Sequence, residues 1–430
     1  MRKYMKKKAV IMCLAAAMLM NLTACGTKQG SKDIPQSQSG SSSTELSGDT
    51  EQKEMEIDEN IMNNTGKISN FSIELFKRSI TDGENAVISP VSVIYALGMA
   101  ANGADGNTLA EIEQTLGVSA DELNQYLNQY LQILKTDEKT KVNIANSIWF
   151  KDTPDFEPAQ EFLLKNKEYY NASTYKSAFD DLTLNDINSW VSENTDGMIK
   201  NILNRISQDA VMYIINAVSF DAKWASVYTE FNVSDGIFTK EDGEETEAEF
   251  MNSTEHTYIE DENSKGFVKY YSGGNYAFAA ILPDEDISVY DYVSELTGDK
   301  LNNMLENAVT GATVHTALPK FKTEGSYEMS EILADMGIIE AFDPDSADFA
   351  GIGTSSEGNI FINRVIHKSF IEVDLEGTKA GAATVIEMNS ATALPTDIKE
   401  VRLDRPFVYI IFDCETNLPL FIGTMMDVSK

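Results

Sequence analysis

IEVDLEGTKAGAATVIEMNSATAL, residues 371–394, is the stretch whose reading decides the fold. Up to Leu375 it alternates as a half-buried strand does, with Ser369, Ile371, Val373 and Leu375 on one face and Lys368, Glu372 and Asp374 on the other. The phase then breaks at Glu376-Gly377, a two-residue turn signal in which glycine is expected to supply a positive φ. Beyond it Thr378, Ala380, Ala382, Thr384, Ile386 and Met388 share one face, opposite Lys379, Gly381, Ala383, Val385, Glu387 and Asn389. The pattern reads as a hairpin. Its second arm opens with glycine and alanine, which weaken strands, so an ordinary strand followed by a flexible loop satisfies the same residues. A segment patterned as a strand and composed to tolerate being a loop suggests two states.

A length of 430 residues admits two or three domains of ordinary size or one large α/β or α+β domain, and 42% hydrophobic residues supply ample core. The net charge of -34 rules against nucleic acid as a partner, because phosphates require an excess of Lys and Arg. Metal hydrolase chemistry is equally poorly supported. The three histidines, His256, His315 and His367, form no HExxH, there is no CxxC pair, and no metal or cofactor motif stands out. Ser173-Thr174-Tyr175-Lys176 fits the S-x-x-K pattern of penicillin-binding enzymes without its companion elements, and Gly351-Ile352-Gly353 lacks nucleotide-binding spacing.

The N-terminus carries an address. Arg2, Lys3, Lys6, Lys7 and Lys8 precede an apolar run from Ala9 to Leu22, too short to span a membrane comfortably. It ends in Leu22-Thr23-Ala24-Cys25-Gly26, which resembles a bacterial lipoprotein signal. That resemblance implies removal of residues 1–24 and lipidation of Cys25, giving a membrane anchor on the extracytoplasmic face. Cys13 would leave with the signal and Cys414 stands alone in FVYIIFDC, so no intramolecular disulfide is expected and Cys414 reads as a buried, inert thiol. Residues 25–57, rich in Ser, Gly, Gln and charge, read as a flexible tether, and 58–430 as one folded region.

Helical patterns dominate the first half of that region. Ile68, Phe71, Leu75 and Phe76 share a helix face, residues 89–103 form a small-residue helix, and Thr108 with Glu111 has capping-box spacing. Helices are also expected around 120–134, over 183–203 and over 327–338, with strands at 142–150 and 211–220, short strands within 229–285, and strands dominating 360–424. With no regular βαβ rhythm, the class is α+β with large, mostly antiparallel sheets.

Six segments in register then resemble the serpin family: 85–117, 187–203, IINAVSFDAKW (214–224), 318–342, VIHKSFIEVDLEGTKAGAAT (365–384) and RPFVYIIFD (405–413). The likeness implies three sheets, eight or nine helices and an exposed reactive loop that inserts into the central sheet after a target protease cleaves it. It implies a hinge at Gly377, Thr378, Lys379, Ala380, Gly381, Ala382 and Ala383, and a shutter of Ser89, Ser92, Asn216 and His367. Trp224 matches the family's tryptophan at the point where insertion begins. Leu375 is a departure, standing where the family usually has a glutamate, so the ion pair that often restrains the hinge is missing. The residues themselves add that the even face from Thr378 to Met388 has no charge, as burial requires, while Lys379 and Glu387 lie on the odd face.

Counting from the hinge places the scissile bond at Ala391-Thr392, with Ala393-Leu394 as a competitor because the loop is about four residues longer than common. Alanine before the bond fills a shallow pocket, so the expected partner is an elastase-like serine protease, with subtilisin-like or papain-like enzymes as alternatives. The resulting expectation is a monomeric suicide inhibitor on a bacterial membrane, not an enzyme. A non-inhibitory serpin acting as a binding protein is the second reading, and a lipoprotein of another fold the third.

Overall fold

A computed structural model describes residues 42–46, 51–62, 64–207, 210–355, 359–378 and 398–429. The expected signal peptide, Cys25, the loop from Lys379 to Leu394 and hence both candidate scissile bonds lie outside the described residues.

Two large sheets and a small one organise the described chain. The seven-stranded sheet runs, in spatial order, Thr44–Glu45, Ser173–Ser177, Thr140–Lys151, Met212–Lys223, Gly377–Thr378, Ile366–Val373 and Phe321–Glu328. Its pairings are antiparallel except that of Thr140–Lys151 with Ser173–Ser177. The nine-stranded sheet contains the run of fully buried strands Tyr276–Pro283, Phe407–Asp413 and Pro419–Met425, whose near-continuous apolar composition suits burial on both faces. A two-stranded sheet joins Gly353–Ser355 to Phe156–Pro158. Among the described residues there are nine α-helices of seven residues or more, together with the one-turn helix Glu59–Met62. The α+β class, three sheets and helix number agree with the sequence reading.

The seven-stranded sheet is covered on both faces. Val218, Phe220, Ala222, Ile371 and Val373 point into the main core, with Ile68, Phe71, Leu75 and Phe76 of helix Thr65–Ser79 also in that core. Trp149, Ile215 and Ala217 point the other way, into a second cluster closed by Ile187 and Val191 of helix Asp181–Asn194. Period-2 alternation thus separates two cores across one sheet.

Local differences from the sequence reading have local causes. The helix expected over 183–203 stops at Asn194, because Asp196 and Gly197 both take positive φ and no right-handed helix continues through them. The helix expected over 327–338 is confined to Met329–Asp335. Thr108 does not cap a helix: it lies inside Gly106–Leu116, fully buried, and its Oγ1 accepts from Asp348 N at 2.9 Å. Part of the stretch whose composition argues for a tether lies on the body. Thr44–Glu45 extends the seven-stranded sheet, Ser42 and Ser43 donate to Asp186 Oδ2, and Lys53 N donates to Glu168 O. These contacts are mostly polar, made by backbone and hydroxyl groups with a carboxylate and a carbonyl, with Leu46 packing on the main core beside them.

Candidate functional site

The site forms where strand Ile366–Val373 turns back on itself. Asp374 builds the turn, its Oδ1 accepting from Glu376 N at 2.8 Å and Gly377 N at 3.1 Å while its own N–H donates to Gly377 O at 3.0 Å. The turn falls at the expected pair of residues. The reason for the glycine differs from the expected one: Gly377 is not in a positive-φ conformation, but a Cβ there would lie 2.0 Å from Ala222 O. Close approach of two backbones, not left-handed geometry, demands glycine here.

After the turn the chain enters the sheet. Gly377 and Thr378 pair with Lys223 and Ala222 on one side, and Thr378 with Val373 on the other. Among the described residues, this two-residue strand is the element hydrogen-bonded to both Met212–Lys223 and Ile366–Val373. Thr378 is buried, in keeping with its even-face assignment, and its Oγ1 lies 2.6 Å from Tyr271 Oη.

Trp224 grips the turn from beneath. Its Nε1 donates to Asp374 O at 2.9 Å, its backbone N–H to Glu376 O at 2.8 Å, and Tyr228 N to Leu375 O at 2.9 Å. Three consecutive carbonyls are therefore satisfied by two residues. The indole stacks on Tyr271, with ring centroids 4.5 Å apart. Below lies a buried ion pair: Lys269 Nζ is 2.7 Å from Glu255 Oε1 and 4.3 Å from the centre of the Tyr228 ring. Burial opposes the Lys269 charge, yet Tyr228 and Glu255 hold its pKa above the ordinary lysine value.

Leu375 is half-buried against the main core and forms no ion pair, as its side chain dictates. The adjacent residue supplies a charge instead. Glu376 Oε2 lies 3.5 Å from Lys223 Nζ, an ion contact without hydrogen-bond geometry. Thus an acidic residue meets a strand lysine one position beyond Leu375.

The four shutter residues are all buried, but they form two hydrogen-bonded groups, not one. His367 Nε2 accepts from Ser89 N at 3.0 Å and from Ser369 Oγ at 2.7 Å, which fixes the neutral Nδ1–H tautomer. Burial lowers its pKa to about 4. Asn216 instead donates to Asn146 Oδ1 at 2.8 Å, and Asn146 donates to Tyr170 O. Ser92 contributes its backbone N–H to Ser89 O. The Ser89 Oγ and Asn216 Oδ1 atoms are buried without partners among the described residues.

A profile of serpins, serine protease inhibitors, matches residues 66–428. The chain belongs to the serpin family. A serpin-like protein of Thermococcus kodakarensis is 31% identical over 369 residues, covering 84% of each chain. A leukocyte elastase inhibitor of Xenopus laevis is 31% identical, covering 83% of this chain and 97% of its own. The crystal structure of the thermophilic serpin tengpin in its native state is 48% identical with a TM-score of 0.83, covering 90% of this chain and 99% of that one. Its latent-state structure gives 47% and 0.77, covering 87% and 100%. Human thyroxine-binding globulin, at 23% identity and a TM-score of 0.76 over 86% of this chain and all of its own, shares the fold. Serpins are typically inhibitors of serine proteases.

In this serpin the tertiary structure adds residues to the site that sequence reading missed. Tyr228, Tyr271, Glu255 and Lys269 surround Trp224, and Ser369 and Asn146 complete the shutter contacts. Lys269 lies in SKGFVKY, where no local signal announces its burial. Ser369 was assigned to the inward face, so its proximity to His367 was legible. Lys176 of the S-x-x-K match lies on a strand, 3.4 Å from Asp152, as a surface ion pair. Cys414 is partly buried, and burial pushes its thiol pKa up to about 12, consistent with an inert thiol.

Proposed function

We propose that this serpin is a suicide inhibitor of elastase-like serine proteases, displayed on the extracytoplasmic face of a bacterial membrane through lipid on Cys25. The observation that carries the inhibitory reading is the seat of Gly377–Thr378 between Met212–Lys223 and Ile366–Val373. A strand begun at that point has a ladder edge on each side to follow. The residues after it are uncharged on the even face from Ala380 to Met388, so continued insertion buries no unpaired charge on that side.

In this mechanism the protease serine attacks the Ala391 carbonyl carbon, the Ala391–Thr392 amide bond breaks, and Thr392 leaves with the proton that general acid catalysis supplies. The ester on Ala391 then travels with the inserting strand, and inhibition follows when insertion outruns hydrolysis. Alanine at 391 favours a shallow specificity pocket, and the leukocyte elastase inhibitor among the relatives is consistent with that preference.

The test incubates the full chain with an elastase-type protease and examines the mixture on a denaturing gel. A covalent complex that survives denaturation, with a large rise in thermal stability of the loop-cleaved protein, is expected. Cleavage with neither complex nor stabilisation refutes inhibition and favours a binding role. For the anchor, Cys25→Ser expressed in a bacterial host should move the protein from the membrane to the soluble fraction. Unchanged partitioning refutes lipidation at Cys25.

A further inference from the structure

A basic surface cavity of about 340 Å³ lies at the opposite end of strand Met212–Lys223 from the Gly377–Thr378 seat. Arg205, Ser207, Tyr213, Asn363, Arg364 and Ile366 line it. Two arginines line it and, among the described residues, no acidic residue does, in a chain of net charge -34. Arg205 is exposed and has no ion-pair or hydrogen-bond partner among the described residues. Arg364 Nε pairs with Glu328. Tyr213 Oη accepts from Ser207 N at 2.8 Å, leaving its own proton to donate. The cavity therefore offers charge and hydrogen-bond donors to a carboxylate.

The sheet register points to which carboxylate this is. Thr378 faces Ala222 on one flank and Val373 on the other, in antiparallel ladders. Were an inserted strand to continue both ladders without a bulge, Lys379 would fall opposite Asp221 and Glu372, and Thr384 opposite Asn216 and His367. By the same count Glu387 would fall opposite Tyr213 and Arg364. In such an inserted strand Thr384 would meet Asn216, whose Oδ1 is unpartnered among the described residues, and Glu387 would reach the cavity lined by Tyr213 and Arg364. A slip of two residues toward the turn would set Lys379 against Lys223 and Glu387 against Ile215 of the second core, which is unfavourable on both counts.

We propose that the cavity of Arg205, Tyr213 and Arg364 receives the Glu387 carboxylate when the loop inserts, latching the far end of the new strand. This rests on the insertion reading above. The loop is cleaved beyond Met388 and thermal unfolding is measured on the full chain before and after cleavage. Glu387→Arg should lower the melting temperature of the cleaved form by about 2 °C or more while leaving the uncleaved form unchanged. Arg364→Glu combined with Glu387→Arg should recover much of that loss, and Arg205→Glu provides the same swap at a residue with no partner to disturb. A wild-type protein stabilised by cleavage, with Glu387→Arg equally stabilised or with strictly additive swaps, overturns the latch alone. A wild-type protein not stabilised by cleavage overturns insertion and the latch together.

Discussion

His367 should make the shutter sensitive to acid. Its pKa is lowered from 6.5 to about 4 by burial, and Nε2 already accepts from Ser89 N and Ser369 Oγ, so protonation removes two accepted bonds and introduces a buried charge. A histidine whose folded pKa is depressed costs nothing above its unfolded pKa. Below it the unfolded chain binds the proton more readily, so stability falls as pH drops from about 6.5 toward about 4. At about 1.4 kcal/mol per pKa unit, the loss approaches about 3 kcal/mol. Many carboxylates titrate nearby in so acidic a chain, and a difference measurement isolates the histidine. Denaturant unfolding of the wild type and of His367→Gln is followed between pH 7.5 and 4.5. The gap between the two should change in the wild type's disfavour by about 2–3 kcal/mol across that window, because the amide does not titrate. A pH-independent gap, or an imidazole titration near 6.5 by NMR, refutes the assignment.

Further consequences follow from the turn and the loop. Gly377→Val places atoms within 2.0 Å of Ala222 O, so the seat must open; the variant should be cleaved as a substrate with little stable complex on a denaturing gel, and wild-type complex yield contradicts this. Trp224→Phe removes the bond to Asp374 O and should lower unfolding stability by about 1–2 kcal/mol, whereas an unchanged denaturation midpoint excludes a stabilising role for that bond. Ala391→Arg should transfer inhibition from elastase-like toward trypsin-like enzymes. Unchanged selectivity in paired inhibition assays rules out Ala391-Thr392 as the reactive bond.

Much of this protein was legible in its order of residues. The alternation of Ser369, Ile371 and Val373, the phase break at Glu376-Gly377 and the inward orientation of Thr378 and His367 are local periodicities, and a strand's two faces follow directly from them. What only tertiary structure decided is the identity of partners. Gly377 is required by the approach of Ala222 from a strand about 150 residues earlier in the chain. Glu376 meets Lys223, Asn216 meets Asn146 instead of His367, and Lys269 lies buried beside Glu255 under Trp224. Each of these depends on which strands become neighbours and in what register. A side chain's periodicity says which face it occupies, whereas its energy depends on distant residues brought there by the sheet.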